Sequence, residues 1–282
     1  MGMLPATLAL WTSVTAQETI PDPAPALSIS DARINESSGL ASSRSAAGVF
    51  YTHNDSGDVA RFFRFNRKGE ITGVFQLDGV QAIDWEDMAA ARIGGNNYLY
   101  LGDIGDNARR RKEIRIYRCI EPPVDRDRAM IKNFEVFAIQ YPGGKAHDCE
   151  SLAVDPRTGD LYLFTKARKT EVFRVKAPRA TGTFLAERVG EFEVPQGGLG
   201  GHLATGADWS PDGNWVAVRS YTQLAEFEAS RLRRGDLKWF SIERVPLSRQ
   251  GEAVAYTRDN GHHMLSSEGN PCPVWILPIV RG

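Results

Sequence analysis

Five short motifs recur along the chain: Glu36-Ser-Ser38-Gly-Leu40, Asp84-Trp-Glu86-Asp-Met88, Asp148-Cys-Glu150-Ser-Leu152, Leu203-Ala-Thr205-Gly-Ala207 and Gln250-Gly-Glu252-Ala-Val254. Their third positions, Ser38, Glu86, Glu150, Thr205 and Glu252, supply two hydroxyls and three carboxylates at successive spacings of 48, 64, 55 and 47 residues. Carboxylates brought face to face repel unless something neutralises them, and an all-oxygen set of variable geometry suits a hard cation. Calcium is the ion expected, with Glu36, Asp84 and Asp148, two residues earlier, as a further layer. The alternative is a set of polar side chains that line a wet channel or satisfy strand ends.

A recurrence near fifty residues means stacked units or propeller blades. Each motif opens a strand-like segment and is followed by a turn and a second apolar strand: Val49-Phe-Tyr-Thr, Tyr98-Leu-Tyr-Leu, Leu161-Tyr-Leu-Phe, Trp215-Val-Ala-Val and His263-Met-Leu-Ser. Asp155-Pro-Arg-Thr-Gly159 and Ser210-Pro-Asp-Gly213 are the clearest turns, because Pro and Gly set the required dihedrals. A third strand follows in every unit and a fourth in the first four. These features predict an all-β, five-bladed β-propeller. Only three strands fit after Glu252, so the segment Ala26-Leu-Ser-Ile-Ser-Asp-Ala-Arg33 is expected to supply the fourth and close the ring. A sixth, degenerate unit between Glu86 and Glu150 is the competing count.

In such a ring, the starts of the inner strands meet at the axis, and the loops between second and third strands surround them. Those loops contain Asn54-Asp-Ser-Gly-Asp58, Asp103-Ile-Gly-Asp-Asn-Ala-Arg-Arg-Arg111, Lys166-Ala-Arg-Lys169, Arg219-Ser-Tyr221 and Ser267-Glu-Gly-Asn270. Asp55 and Asp103 are the expected groups for positioning a hydrolytic water. Lys166, Arg168, Arg219 and Asn107 are the expected contacts to a small anionic substrate. The run Arg109-Arg-Arg111 reads as a solvated hairpin tip. His53, His147 and His202 approach the channel but fit structural roles, and Cys149, flanked by acids, fits a packed thiol rather than a nucleophile.

The order Ser, Glu, Glu, Thr, Glu at five blade starts resembles the calcium-activated apyrases, soluble nucleotidases whose five-bladed propeller holds a central calcium with a Ser-Glu-Glu-Ser-Glu set. Thr205 stands where that family has its second Ser. The Asp-Trp-Glu-Asp-Met, Gly-Asp-Ile-Gly-Asp-Asn and Asn-Asp-Ser-Gly runs are more similar to a group of bacterial exported propellers of unassigned role. The resemblance implies the fold and the metal more than the nucleotidase chemistry, since propellers host unrelated functions.

Composition agrees with an ordinary globular chain: 282 residues, 34 Lys+Arg against 35 Asp+Glu, and 42% hydrophobic. A net charge of -1 gives no field for nucleic acid. Residues 1–16 read as a signal peptide ending in Val-Thr-Ala, although no Lys or Arg precedes the apolar run, and they are too short to span a bilayer. Residues 17–25 read as a linker and residues 26–282 as the propeller, placing the protein in the periplasm or outside the cell. Three cysteines match no zinc spacing, and Walker A, His-Glu-x-x-His and Gly-x-Ser-x-Gly motifs are absent. Two functions stand: a calcium-dependent hydrolase of phosphoanhydrides, phosphoesters, lactones or esters, and a non-catalytic, calcium-stapled module that binds a protein or glycan.

Overall fold

The computed structural model describes residues 22–195 and 201–281, so the leader expected at residues 1–16 lies outside the described residues. Among the described residues, helix is confined to one turn, α1 (Ala229–Leu232), and a 3-10 turn at Pro142–Gly144. After β1 (Leu27–Ile29), blade 1 is built from β2 (Ser37–Ser42), β3 (Val49–Asn54), β4 (Arg61–Asn66) and β5 (Ile71–Leu77). Blade 2 contains β6 (Trp85–Ile93), β7 (Asn96–Asp103), β8 (Ile114–Ile120) and, beyond β9 (Arg128–Ile131), β10 (Phe134–Gln140). Blade 3 contains β11 (Cys149–Val154), β12 (Leu161–Thr165), β13 (Thr170–Val175) and, beyond β14 (Gly182–Leu185), β15 (Glu187–Phe192). Blade 4 is β16 (Ala204–Trp209), β17 (Trp215–Ser220), β18 (Gln223–Glu228) and β19 (Ser241–Arg244), and blade 5 is β20 (Gly251–Tyr256), β21 (His262–Ser267) and β22 (Cys272–Pro278).

The inner and second strands read as continuous apolar runs because each is buried on both faces. In β12, Leu161 and Leu163 pack toward blade 2 while Tyr162 and Phe164 pack toward blade 4. In β6, Met88 and Ala90 join the core shared with blade 1, and Ala89 and Ala91 join the core shared with blade 3. The two-residue period of a strand thus divides its side chains between two interfaces. Each fully buried aromatic contributes on the order of 2–3 kcal/mol.

Closure is as expected. β1 pairs antiparallel with β22, with Leu27 opposite Val274 and Ile29 opposite Cys272. Ile29, Cys272 and Val274 then share a core with Phe50, Phe63 and Phe65 of blade 1. The residues expected as a linker are tied down where described: Asp22 Oδ2 accepts the Leu247 amide at 2.9 Å and Pro23 O accepts Trp275 Nε1 at 2.9 Å.

Two blades differ from the four-stranded expectation. The connection after β8 returns to blade 1, where β9 pairs in parallel with β5, and the connection after β13 returns to blade 2, where β14 pairs in parallel with β10. Each addition covers an outer edge whose backbone groups would otherwise lack partners. One arginine on each third strand holds the returning segment. Arg64 donates to Pro123 O and Arg126 O at 2.8 and 2.9 Å, and Arg118 donates to Pro178 O and Arg179 O at 3.3 and 3.2 Å. The long stretch between Glu86 and Glu150 is therefore one blade plus a strand lent to its neighbour, not a sixth unit.

Candidate functional site

Every inner strand breaks register with its neighbour at the same place. The ladder skips from Ser37 to Gly39, Trp85 to Asp87, Cys149 to Ser151, Ala204 to Gly206 and Gly251 to Val254. The skipped positions are Ser38, Glu86, Glu150 and Thr205, with Glu252 and Ala253 in blade 5. A bulge releases a residue from strict alternation, which lets these side chains leave the interblade cores. The hydroxyls then reach across blades: Ser38 Oγ donates to Glu86 O at 2.5 Å and Thr205 Oγ1 to Gly251 O at 3.0 Å.

A second set of positions surrounds the first. The last residue of a second strand captures the chain entering the inner strand: Asn54 Oδ1 accepts the Asn35 and Glu36 amides at 3.2 and 3.3 Å, and Asp103 accepts the Ile83 and Asp84 amides, both at 3.2 Å. The residues that follow these ends, Asp55, Ile104, Lys166, Tyr221 and Glu268, occupy equivalent places around the mouth. Lys166 lies over the Tyr221 ring, 5.6 Å from its centroid.

The tightest group of oxygens combines the two sets. Asp55, Asp84 and Glu86 each offer a carboxylate oxygen, all within 4.8 Å of one another. Glu86 is buried, whereas Asp55 and Asp84 are partly exposed, so the group has a closed floor and an open side. Gly105 makes this approach possible, because a Cβ there would collide with Glu86 Oε1 and Asp84 Oδ2. This acidic triad lies toward blades 1 and 2. Glu150 Oε2 is 3.0 Å from Lys166 Nζ, and Glu252 Oε1 accepts Gln250 Nε2 at 2.6 Å. Glu252 Oε2 is buried without a partner among the described residues.

Proton affinities record the crowding. Burial, and then the charges of Glu150, Asp55, Asp84 and Glu252, raise Glu86 well above the usual carboxylate range. Burial and Asp55 push Asp84 up to about 6. For Glu150 burial outweighs the attraction of Lys166 and brings it to about 7. Burial, with Glu252, Glu36 and Asp55 nearby, raises Glu268 to about 7.

Other expected site residues are placed differently from the sequence reading. Arg219 is fully buried, with Nη1 donating to Ala253 O and Ser266 O at 2.7 and 2.5 Å. It joins blades 4 and 5, and Gly251 leaves room for its guanidinium; it is not on the open face where a substrate contact was expected. Asp103, expected to position water, is fully buried, paired with Arg111 at 2.8 Å and bonded to the Asp84 amide. Lys166 is committed to Glu150. Arg168 points to solvent beside Glu193 at 3.5 Å, and Asn107 is exposed at a loop tip. Among the other groups considered, His53 is buried and burial lowers its pKa, while Cys149 donates to Phe164 O at 3.4 Å and burial raises its thiol to about 12. Glu268 was not singled out from the sequence, although aligning Asn54-Asp55 with Ser267-Glu268 would have found it.

Fold and site together define a five-bladed propeller with a carboxylate-rich axial mouth. Comparison with protein-family models and with curated protein sequences returns no match. Among solved structures, a gluconolactonase from Xanthomonas campestris matches with a TM-score of 0.47 and 16% identity, over 82% of this chain and 69% of that chain. A likeness at this level carries no argument about chemistry. Among the described residues, no helix is long and apolar enough to cross a membrane.

Proposed function

We propose that the protein is an exported, calcium-dependent hydrolase whose ion is held by Asp55, Asp84 and Glu86 and whose substrate is a lactone or ester. The observation that carries this reading is the open-sided carboxylate group. A cation there relieves the repulsion that raises Glu86 and Asp84, and the partly exposed side leaves room for water and a carbonyl oxygen. Calcium, when bound, supplies Lewis acidity to that carbonyl. Asp103, through the Asp84 amide, orients the Asp84 carboxylate. Glu268, at the mouth with no ion-pair partner among the described residues, accepts the proton of the attacking water. The resemblance to apyrases supports calcium as the ion. Phosphoanhydride hydrolysis is less favoured, because Lys166, expected to hold phosphate charge, is paired with Glu150, and Arg219 is fully buried. Export agrees with the leader-like residues 1–16 and with the calcium available outside the cytosol.

The second reading is the non-catalytic module, in which calcium staples the ring and the loop face binds a protein or glycan. The near-complete burial of Glu86, Glu150 and Glu252 from three blades favours it. One experiment separates the two: purified protein is tested with calcium or chelator against lactones, carboxylic esters, phosphoesters and nucleotides, alongside its melting temperature. Calcium-dependent turnover of a lactone or ester, lost in Asp84→Asn, is the expected outcome. Thermal stabilisation by calcium with no turnover of any substrate would leave the stapled module as the function.

A further inference from the structure

Beside the carboxylate group, between blades 2 and 3, lies a pocket of about 310 Å³ lined by Arg109, Lys145, His147, Asp148, Thr165 and Glu171. Its acids are already occupied. Asp148 Oδ1 accepts the Asp106 amide at 3.1 Å, and Glu171 pairs with His147 Nδ1 at 3.2 Å and Arg188 Nε at 2.8 Å. Thr165 Oγ1 accepts the Glu171 amide at 2.9 Å. The His147 ring is fixed against Tyr141 and Phe173, each with centroids 4.8 Å away. The two cations are free: among the described residues neither Arg109 nor Lys145 has a carboxylate within 4.0 Å. Burial, and then the charges of Arg109, Lys145 and Arg188, lower the His147 pKa against the pull of Glu171.

The backbone singles out Arg109. Its φ is 50°, in the left-handed region, where a side chain costs about 1 kcal/mol that glycine would not incur. The turn is imposed by Asp106, whose carbonyl accepts the Arg109 amide at 2.7 Å and whose carboxylate accepts the Arg110 and Arg111 amides at 2.9 and 2.7 Å. The turn thus aligns an arginine where the fold itself asks only for a flexible backbone. The expectation of a solvated hairpin tip holds: Arg109 is exposed, as is Lys145, and both line the rim of the pocket from the solvent side.

We propose that this pocket is an anion subsite that takes a carboxylate or phosphate carried by the substrate, with the Arg109 guanidinium as a two-point donor and Lys145 as a second charge. Asp148 lines the pocket and holds the Asp106 amide, next to Gly105, which packs against Asp84 and Glu86, so one small molecule would place its anion here and its reacting carbonyl toward the carboxylate group. The catalytic part rests on the hydrolase reading above; the binding part does not.

The test uses the full chain in calcium and measures succinate and inorganic phosphate binding by calorimetry, independent of turnover. In Arg109→Ala and Lys145→Ala, affinity for whichever anion binds is expected to fall about tenfold, the effect of one charge-assisted hydrogen bond. Tighter succinate binding marks a carboxylate substrate, and tighter phosphate binding marks a phosphate ester. Arg109→Gly separates binding from folding: it should hold or raise the melting temperature while losing the same affinity, and Arg109→Lys should recover part of it. With 4-nitrophenyl hemisuccinate and 4-nitrophenyl butyrate as probes, the kcat/KM ratio in favour of the anionic ester should fall in the same variants. If neither anion binds, or if Arg109→Gly binds as well as the native chain, the subsite is refuted. Calorimetric binding without ester turnover would overturn the hydrolase reading alone.

Discussion

Glu86 and Glu226 are carboxylates of nearly equal burial, 3% and 4% exposed, and their surroundings drive them in opposite directions. Glu226, on β18, accepts Tyr256 Oη at 2.6 Å, His263 Nε2 at 3.1 Å and Arg281 Nη2 at 2.7 Å. Burial alone would raise it, but those three donors hold it down at about 2. Glu86 meets the same burial with acids for neighbours and rises. A buried acid with a full set of donors is a structural joint, here fastening the chain end to blades 4 and 5. A buried acid facing other acids is held in its neutral form, and a cation bound there would compete with its proton.

The largest effect should come from breaking the joint. Glu226→Ala is expected to cost about 3 kcal/mol by urea unfolding, because Arg281, His263 and Tyr256 lose their shared acceptor. A loss below about 1 kcal/mol would erase the contrast. Next in size is the ion: calcium at a hundred times its dissociation constant should add about 2.7 kcal/mol if it binds only the folded ring, raising the melting temperature by several degrees. An unchanged melting temperature after chelation would remove the metal from the site.

Stability against pH should then divide into two limbs. In metal-free protein, Asp84 at about 6 and Glu150 and Glu268 at about 7 hold protons that unfolded carboxylates, at 3.8 and 4.5, have lost. The folded state binds more protons, so stability declines as pH rises from about 4 to about 7. Glu226, at about 2 against an unfolded 4.5, contributes fully above about 4.5 and loses its contribution as pH falls toward 2. Urea midpoints across pH should show calcium flattening the first limb and leaving the second intact. The smallest effect has the opposite sign from the first: Glu86→Gln without calcium is expected to stabilise by about 1 kcal/mol while abolishing the calcium-induced shift. Destabilisation there instead would place Glu86 with Glu226 as a structural acid.

Much of this was legible in the linear chain. The five recurring motifs marked the bulged residues Ser38, Glu86, Glu150, Thr205 and Glu252, and the strand shortage after Glu252 identified residues near Leu27 as the closing partner of β22. These features are local: strand period, turn residues and the length of a blade are written into neighbouring positions. The tertiary structure decided which charges meet. Lys166 looks free in sequence and is spent on Glu150; Arg219 looks like a substrate ligand and is sealed between blades; Asp55 and Asp84 move into the inner group with Glu86. The strands β9 and β14, lent to preceding blades, were equally hidden. Such pairings join residues from 16 positions apart, for Glu150 and Lys166, to 54 apart, for Val74 and Arg128, and they are fixed only when the ring closes and burial strips the charged groups of water.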